Sequence, residues 1–155
     1  MALQVEQLRH MAVAHGDRTA YTDLVTGEPL TFAAWGAGAN RLGLGLAGAG
    51  IGPGDRVAIH LESRHLARWL VAYAGVHTAG AVAVPTNTRL TAREVATVLG
   101  HAEPRVVITS SALARTLAPK VAAKLTASAG DRASTGQRTW TFGTIAKETT
   151  VGKGV

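Results

Sequence analysis

The groups in this sequence that could carry chemistry are its imidazoles, its carboxylates and a glycine cluster, since the 155 residues include six histidines, ten Asp and Glu and no cysteine. Without cysteine there is no thiol nucleophile, thiolate metal site or disulfide, which fits a reducing, cytoplasmic setting. The histidines (His10, His15, His60, His65, His77 and His101) show no HxxxH, HxH or HExxH spacing. Those spacings bring two imidazoles onto one face around a zinc ion, so solvent-facing or core-satisfied histidines are the simpler account, even for His60 and His65, which stand five apart. Glu62 and His65 follow a β-branched run, at the place where open α/β sheets bind ligands. They could form a general acid/base pair, but no nucleophile or oxyanion donor accompanies them. Gly48, Gly50 and Gly52 have GxGxG spacing, yet they precede that run instead of following it. A dinucleotide fingerprint needs the reverse order, so the glycines read as a helix C-terminus and a turn. No residue is assigned a catalytic, cofactor-binding or metal-ligating role.

The elements that would position these groups are easier to read. Three β-branched runs, Arg56–Leu61, Ala81–Val84 and Arg105–Thr109, alternate with two helical patterns, Arg64–Thr78 and Ala92–Ala102. That alternation predicts an α/β fold with a small parallel βαβαβ sheet and right-handed crossovers. Gly52, Pro53, Gly54 and Asp55 form a turn that launches the first run. Ser63 is placed to cap the first helix, and Thr91 with Glu94 makes a capping box for the second. Val95, Val98, Leu99 and Ala102 share one face of that second helix, which should lie on the sheet. The first is apolar nearly all round from Trp69 to Val76, which predicts deep burial. Val57, Ile59, Val82, Val84, Val107 and Ile108 are the expected sheet core.

Upstream, Ala2–Ala14 reads as an amphipathic helix and Thr19–Thr22 with Pro29–Phe32 as a β-hairpin around Thr26 and Gly27. Thr31 then caps a helix running to about Ala47. Gly36, Gly38, Gly43 and Gly45 each cost that helix roughly 0.8–1 kcal/mol relative to alanine, so packing of Trp35, Leu42 and Leu46 must hold it together.

In order and spacing, HGDRTAYTDLVTGEPLTFAAW, IGPGDRVAIHL, AGAVAVPTNTRLTAREVATVL and the VVITS strand resemble the opening of the adenylate-forming (AMP-dependent synthetase/ligase, acyl-CoA synthetase) superfamily. The resemblance spans about Leu8 to Leu113 and implies an N-terminal fragment of such an enzyme. It departs from the family at Ala34, where a Glu commonly completes the capping box begun by Thr31. The family activates a carboxylate as an acyl-adenylate with ATP and Mg, then passes the acyl group to coenzyme A. Its phosphate-holding groups come from a Ser/Thr/Gly-rich loop ending in Pro-Lys-Gly and from later Asp, Arg and Lys motifs, none of which occurs here. Ser134, Thr135 and Gly136 are the nearest approach, without the second Thr-Gly and the Pro-Lys. No cofactor is therefore expected for this chain alone, and the implied enzyme is not catalytically competent by itself. The alternative is a small non-catalytic α/β module that self-associates, or docks on a partner such as a full-length synthetase, through an uncovered apolar face.

Composition divides the chain. Up to Arg115 there are ten arginines and no lysine; beyond it come Lys120, Lys124, Lys147 and Lys153 with Arg132 and Arg138. Residues 1–115 are read as the partial synthetase domain and 116–155 as a divergent basic tail, poorly ordered from Thr126 on. The net charge of +6 and pI near 10.5 raise nucleic acid as a partner. The arginines are scattered and the tail lysines widely spaced, with only Trp140 and Phe142 among them, so specific nucleic-acid recognition is not supported. The N-terminus has early charges and no apolar h-region, so it is not read as a secretory signal. Trp69–Val84 is shorter than the ~20 residues a membrane span needs.

Overall fold

A computed structural model describes residues 4–117 and 138–141. The chain divides into two compact units that interleave along the sequence. One comprises the residues up to Asp55 with Ser63–Ala83; the other comprises Arg56–Glu62 with the residues from Val84 onward.

The first unit is helical with an appended hairpin. It contains α1 (Gln4–Ala14), β1 (Thr19–Thr22), β2 (Pro29–Thr31), α2 (Phe32–Gly48) and α3 (Leu66–Thr78). The antiparallel pair β1–β2 is closed by a turn in which Asp23 Oδ1 accepts from the N–H groups of Val25 (2.8 Å) and Thr26 (3.1 Å). Thr31 ends β2 and caps α2, its hydroxyl accepting from the Ala34 N–H at 3.2 Å. The glycines that weaken α2 by propensity are explained by α3. A Cβ placed on Gly43 would stand 2.7 Å from Thr78 Cγ2 and 3.2 Å from the Gly75 carbonyl oxygen, and one on Gly75 would stand 2.8 Å from Leu42 Cβ. The two helices interlock through small residues at a distance that larger ones would forbid. The Trp35 indole adds a bond to the Leu70 carbonyl at 3.0 Å.

Two expectations for α3 are corrected. A 3-10 turn, Ser63–His65, precedes it, and its N-cap is His65, which makes no side-chain capping bond; Ser63 does not cap it. Nor is it buried all round. Ala72, Ala74, Gly75 and Val76 are buried, whereas Trp69, Leu70 and Tyr73 are half-buried, because α1 and α2 take only one side of the helix.

The second unit holds the sheet apart from Val82 and Ala83, which begin its edge strand. The sheet order is β4-β3-β5-β6, with β3 (Arg56–His60), β4 (Val82–Pro85), β5 (Val106–Thr109) and β6 (Arg138–Thr141). Strands β3, β5 and β6 are parallel, with Val57 beside Val106 and His60 beside Thr109. Helix α4 (Ala92–Ala102) starts with the expected capping box: Thr91 accepts from the Glu94 N–H and the Glu94 carboxylate accepts from the Thr91 N–H at 2.8 Å. Val95 and Leu99 of α4 pack against Ala58, Val107 and Leu117. Val57, Ile59, Val107 and Ile108 are buried as expected. Val82 is not, at 48% exposed, and Val84 is half-buried; β4 is an edge strand, and β propensity does not distinguish edge from centre.

The segment assigned to the basic tail thus contributes Leu117 to this core and β6 to the sheet; residues 118–137 and 142–155, and the order expected of them, lie outside the described residues. Among the described residues no helix is long and apolar enough to cross a membrane.

Candidate functional site

Residues at and just beyond the C-terminal ends of β3, β4 and β5 gather into a polar cluster in the second unit. Parallel strands end there with their last carbonyls and the following loops on one edge, which is why such edges commonly bind ligands. His60, the last residue of β3, is only 2% exposed. Its Nδ1 lies 2.7 Å from the Thr86 hydroxyl, and that hydroxyl donates to the Ile59 carbonyl at 3.2 Å. With the Thr86 proton committed to Ile59, the Thr86 oxygen accepts from His60, which assigns the imidazole proton to Nδ1. Burial holds His60 below its ordinary pKa, opposed in part by the negative charge of Glu62.

Glu62 follows β3 and accepts from the Ser110 hydroxyl at 3.1 Å. The Ser110 oxygen in turn accepts from the Leu113 N–H at 3.2 Å, while the Ala114 N–H bonds the Ser110 carbonyl at 2.8 Å. Ser110 therefore caps the helical residues 111–117, and the Glu62 carboxylate is bonded to that cap, where the helix dipole favours negative charge. Thr109, 1% exposed, keeps a buried hydroxyl with no hydrogen-bond partner among the described residues.

Of the residues singled out in the sequence, the cluster brings together His60 and Glu62. His65 belongs to the other unit, as the N-cap of α3. His10, His15 and His101 are exposed, and His77 lies on α3. No three His, Asp or Glu side chains among the described residues converge as a metal site. Gly48, Gly50 and Gly52 sit at the end of α2 and in the following turn, where Gly50 takes φ 79° and the Gly52 N–H donates to Asp55 at 2.9 Å. Ser134, Thr135 and Gly136 lie outside the described residues. Sequence reasoning missed Thr86, Thr109 and Ser110. Their signal was a hydroxyl residue at or just after each β-branched run, in VPT and VITS.

Chemically, the cluster is a hydrogen-bonded bridge between strand ends, with the Thr109 hydroxyl left over. It offers a neutral imidazole and a carboxylate, but the carboxylate already serves a helix cap. None of His60, Glu62, Thr86, Thr109 and Ser110 is a cation that could meet a triphosphate, so this cluster does not fit ATP's phosphates as a binding set.

Comparison with known proteins gives this framework its relatives. The family model for AMP-binding enzymes matches residues 8–151. A long-chain-fatty-acid–CoA ligase of Mycobacterium tuberculosis is 38% identical over 101 residues, covering 65% of this chain and 20% of that protein. One from Thermus thermophilus is 40% identical over 103 residues, covering 65% and 19%. Among solved structures, the N-terminal domain of FACL13 from M. tuberculosis superposes with a TM-score of 0.66 at 31% identity, covering 91% of this chain and 34% of that one. The chain spans about a fifth of the length of the curated relatives it matches. With nearly its whole length inside the family match, this chain belongs to the AMP-binding enzymes, the adenylate-forming superfamily, and corresponds to part of their N-terminal region.

Proposed function

We propose that these 155 residues supply framework for a carboxylate-activating ligase of the acyl-CoA synthetase type and do not form acyl-adenylate by themselves. The observation that carries this reading is the match over residues 8–151 set against coverage of only a fifth of the related ligases. The strand-end cluster supports it, since Glu62 and His60 hold neighbouring elements together. Adenylation needs donors and Mg aimed at the charge that builds up on ATP's phosphates. By likeness to relatives named as long-chain-fatty-acid–CoA ligases, the acid belongs to fatty acid metabolism and the setting is cytoplasmic.

The test is pyrophosphate exchange with ATP, Mg and a panel of fatty and aromatic acids, followed by thioester detection with coenzyme A. No exchange above background is expected. Exchange that vanishes when Ser134 and Thr135 are both changed to alanine would overturn the reading and show that a reduced phosphate loop works.

A second reading, a non-catalytic module docking on a larger synthetase, draws on the half-buried Trp69, Leu70 and Tyr73 of α3. Concentration-dependent association in sedimentation, lost on changing Trp69 to Ser, would favour it.

A further inference from the structure

We propose that the helical unit carries a binding site for a small neutral aromatic alcohol, of which phenol is the simplest case, in the open cleft between α1, α2 and α3. This site is separate from the strand-end cluster and does not depend on adenylation.

The cleft has a volume of about 220 Å³ and is lined by Leu8 and Met11 of α1, Phe32 and Trp35 of α2, and Ala74 and His77 of α3. An apolar cavity of roughly 150 Å³ is enough to admit benzene in a well-studied lysozyme variant. One ring with a substituent therefore fits here. Phe32 and Trp35 offer ring surfaces and Met11 a thioether, which favour a flat aromatic guest over an aliphatic one of the same size. No lining residue is acidic, lysine or arginine, so a charged guest would lose its hydration with nothing to replace it.

Besides the amides of Gln4 and Gln7 on α1, the polar group at the cleft is His77. Its Nε2 is buried and has no hydrogen-bond partner among the described residues, a state that costs free energy until a partner arrives. The other polar ring group lining the cleft, the Trp35 indole N–H, is already bonded to the Leu70 carbonyl. Trp69, Tyr73 and His77 form a ladder of rings up α3. Trp69 and Tyr73 are stacked at 5.1 Å, and the Tyr73 ring meets His77 edge-on at 4.6 Å and 76°. That contact sets the imidazole beside the cleft, and binding requires the ring to turn so that the buried Nε2 reaches a guest. A hydroxyl suits either tautomer, since it donates to a bare Nε2 and accepts from a protonated one. A ketone or an ether satisfies only one of the two.

Isothermal titration calorimetry of phenol, benzene and cyclohexanol against the full chain tests the assignment, with circular dichroism confirming that each variant is folded. Phenol should bind saturably with one site per chain, at least about fivefold more tightly than benzene or cyclohexanol. Met11→Trp, which fills the cleft from α1, should abolish binding. Ala74→Leu fills it from the opposite wall and serves if the first variant does not fold. His77→Phe should bring phenol down to the affinity of benzene, while His77→Gln, which keeps a hydrogen-bonding group, should retain part of the preference. No saturation by phenol, equal affinity for phenol and benzene in the unaltered chain, or binding untouched in a folded cleft-filling variant would each overturn the proposal.

Discussion

The two units solve the same problem by opposite means. In the helical unit α2 is poor in intrinsic helix propensity, and its glycines are used to bring backbones together. In the sheet unit nearly every local preference agrees with the fold: β-branched strands, a complete capping box, and an α4 whose apolar stripe matches its buried face. One unit is therefore limited by volume that must not be added, and the other by apolar contact that must not be removed. Agreement across levels is what makes a sequence fold to one structure; the helical unit reaches it only through a contact between distant segments.

The sharpest way to break the sheet unit is a charge in its centre. Val107, 5% exposed and packed with Ala58, Val95 and Leu99, changed to Asp should lose several kcal/mol. That is enough to remove the cooperative thermal transition of a marginally stable domain; unchanged melting would refute a central strand there. Next, Gly43→Ala should destabilise by about 1–3 kcal/mol despite its better helix propensity, because the new methyl meets Thr78 and the Gly75 carbonyl. Gly48→Ala, with nothing within 4 Å, should instead gain about 0.4–1 kcal/mol. Opposite signs in urea denaturation would establish that close approach, and not helicity, governs α2. A third effect is smaller: Thr91→Ala removes the hydroxyl half of the α4 capping box, leaving the backbone N–H to bond Glu94, and should cost about 1 kcal/mol.

The smallest effect is one of pH. The folded state binds a proton at His60 less readily than the unfolded chain, whose histidine titrates near about 6.5. Stability should be fully present above that value and decline as the pH falls toward the folded pKa. Melting temperatures between pH 7.5 and 5 should show this slope, and His60→Asn should flatten it.

Legibility followed locality. The bounds of α4, the Thr91–Glu94 box and the Thr31 cap lie within a few residues of the groups that fix them, and each was readable from sequence. The burial of Val82 was not, because edge or centre is decided by which strands come later. Strand β6, RTWT, carries no apolar run; its place comes from pairing with β5, far back in the chain. The need for packing around α2 was visible, but Gly75 and Thr78 as its partners were not, since nothing local links them. At the site, His60 and Glu62 stood out as ionisable groups at a strand end. Thr86 and Ser110 carried no reading of their own, because only the fold brings them beside those two. The cleft was invisible for the same reason: three helices separated in sequence make it.

The interleaving of the two units also sets an order of events during synthesis. Everything the helical unit needs has been made once Ala83 is added, whereas β3, already synthesised, can meet β4 on one edge but cannot pair on the other until β5 follows, since Val57 waits for Val106. At translation rates of ~5–20 residues per second the delay is roughly one to five seconds. That is long beside the microseconds in which helices form. For that interval RVAIH is a nascent strand with the edge that will meet β5 unsatisfied, the kind of segment that seeks other chains. Slow codons after Ala83 would lengthen the exposure, and a chaperone that binds short apolar segments would find its target there.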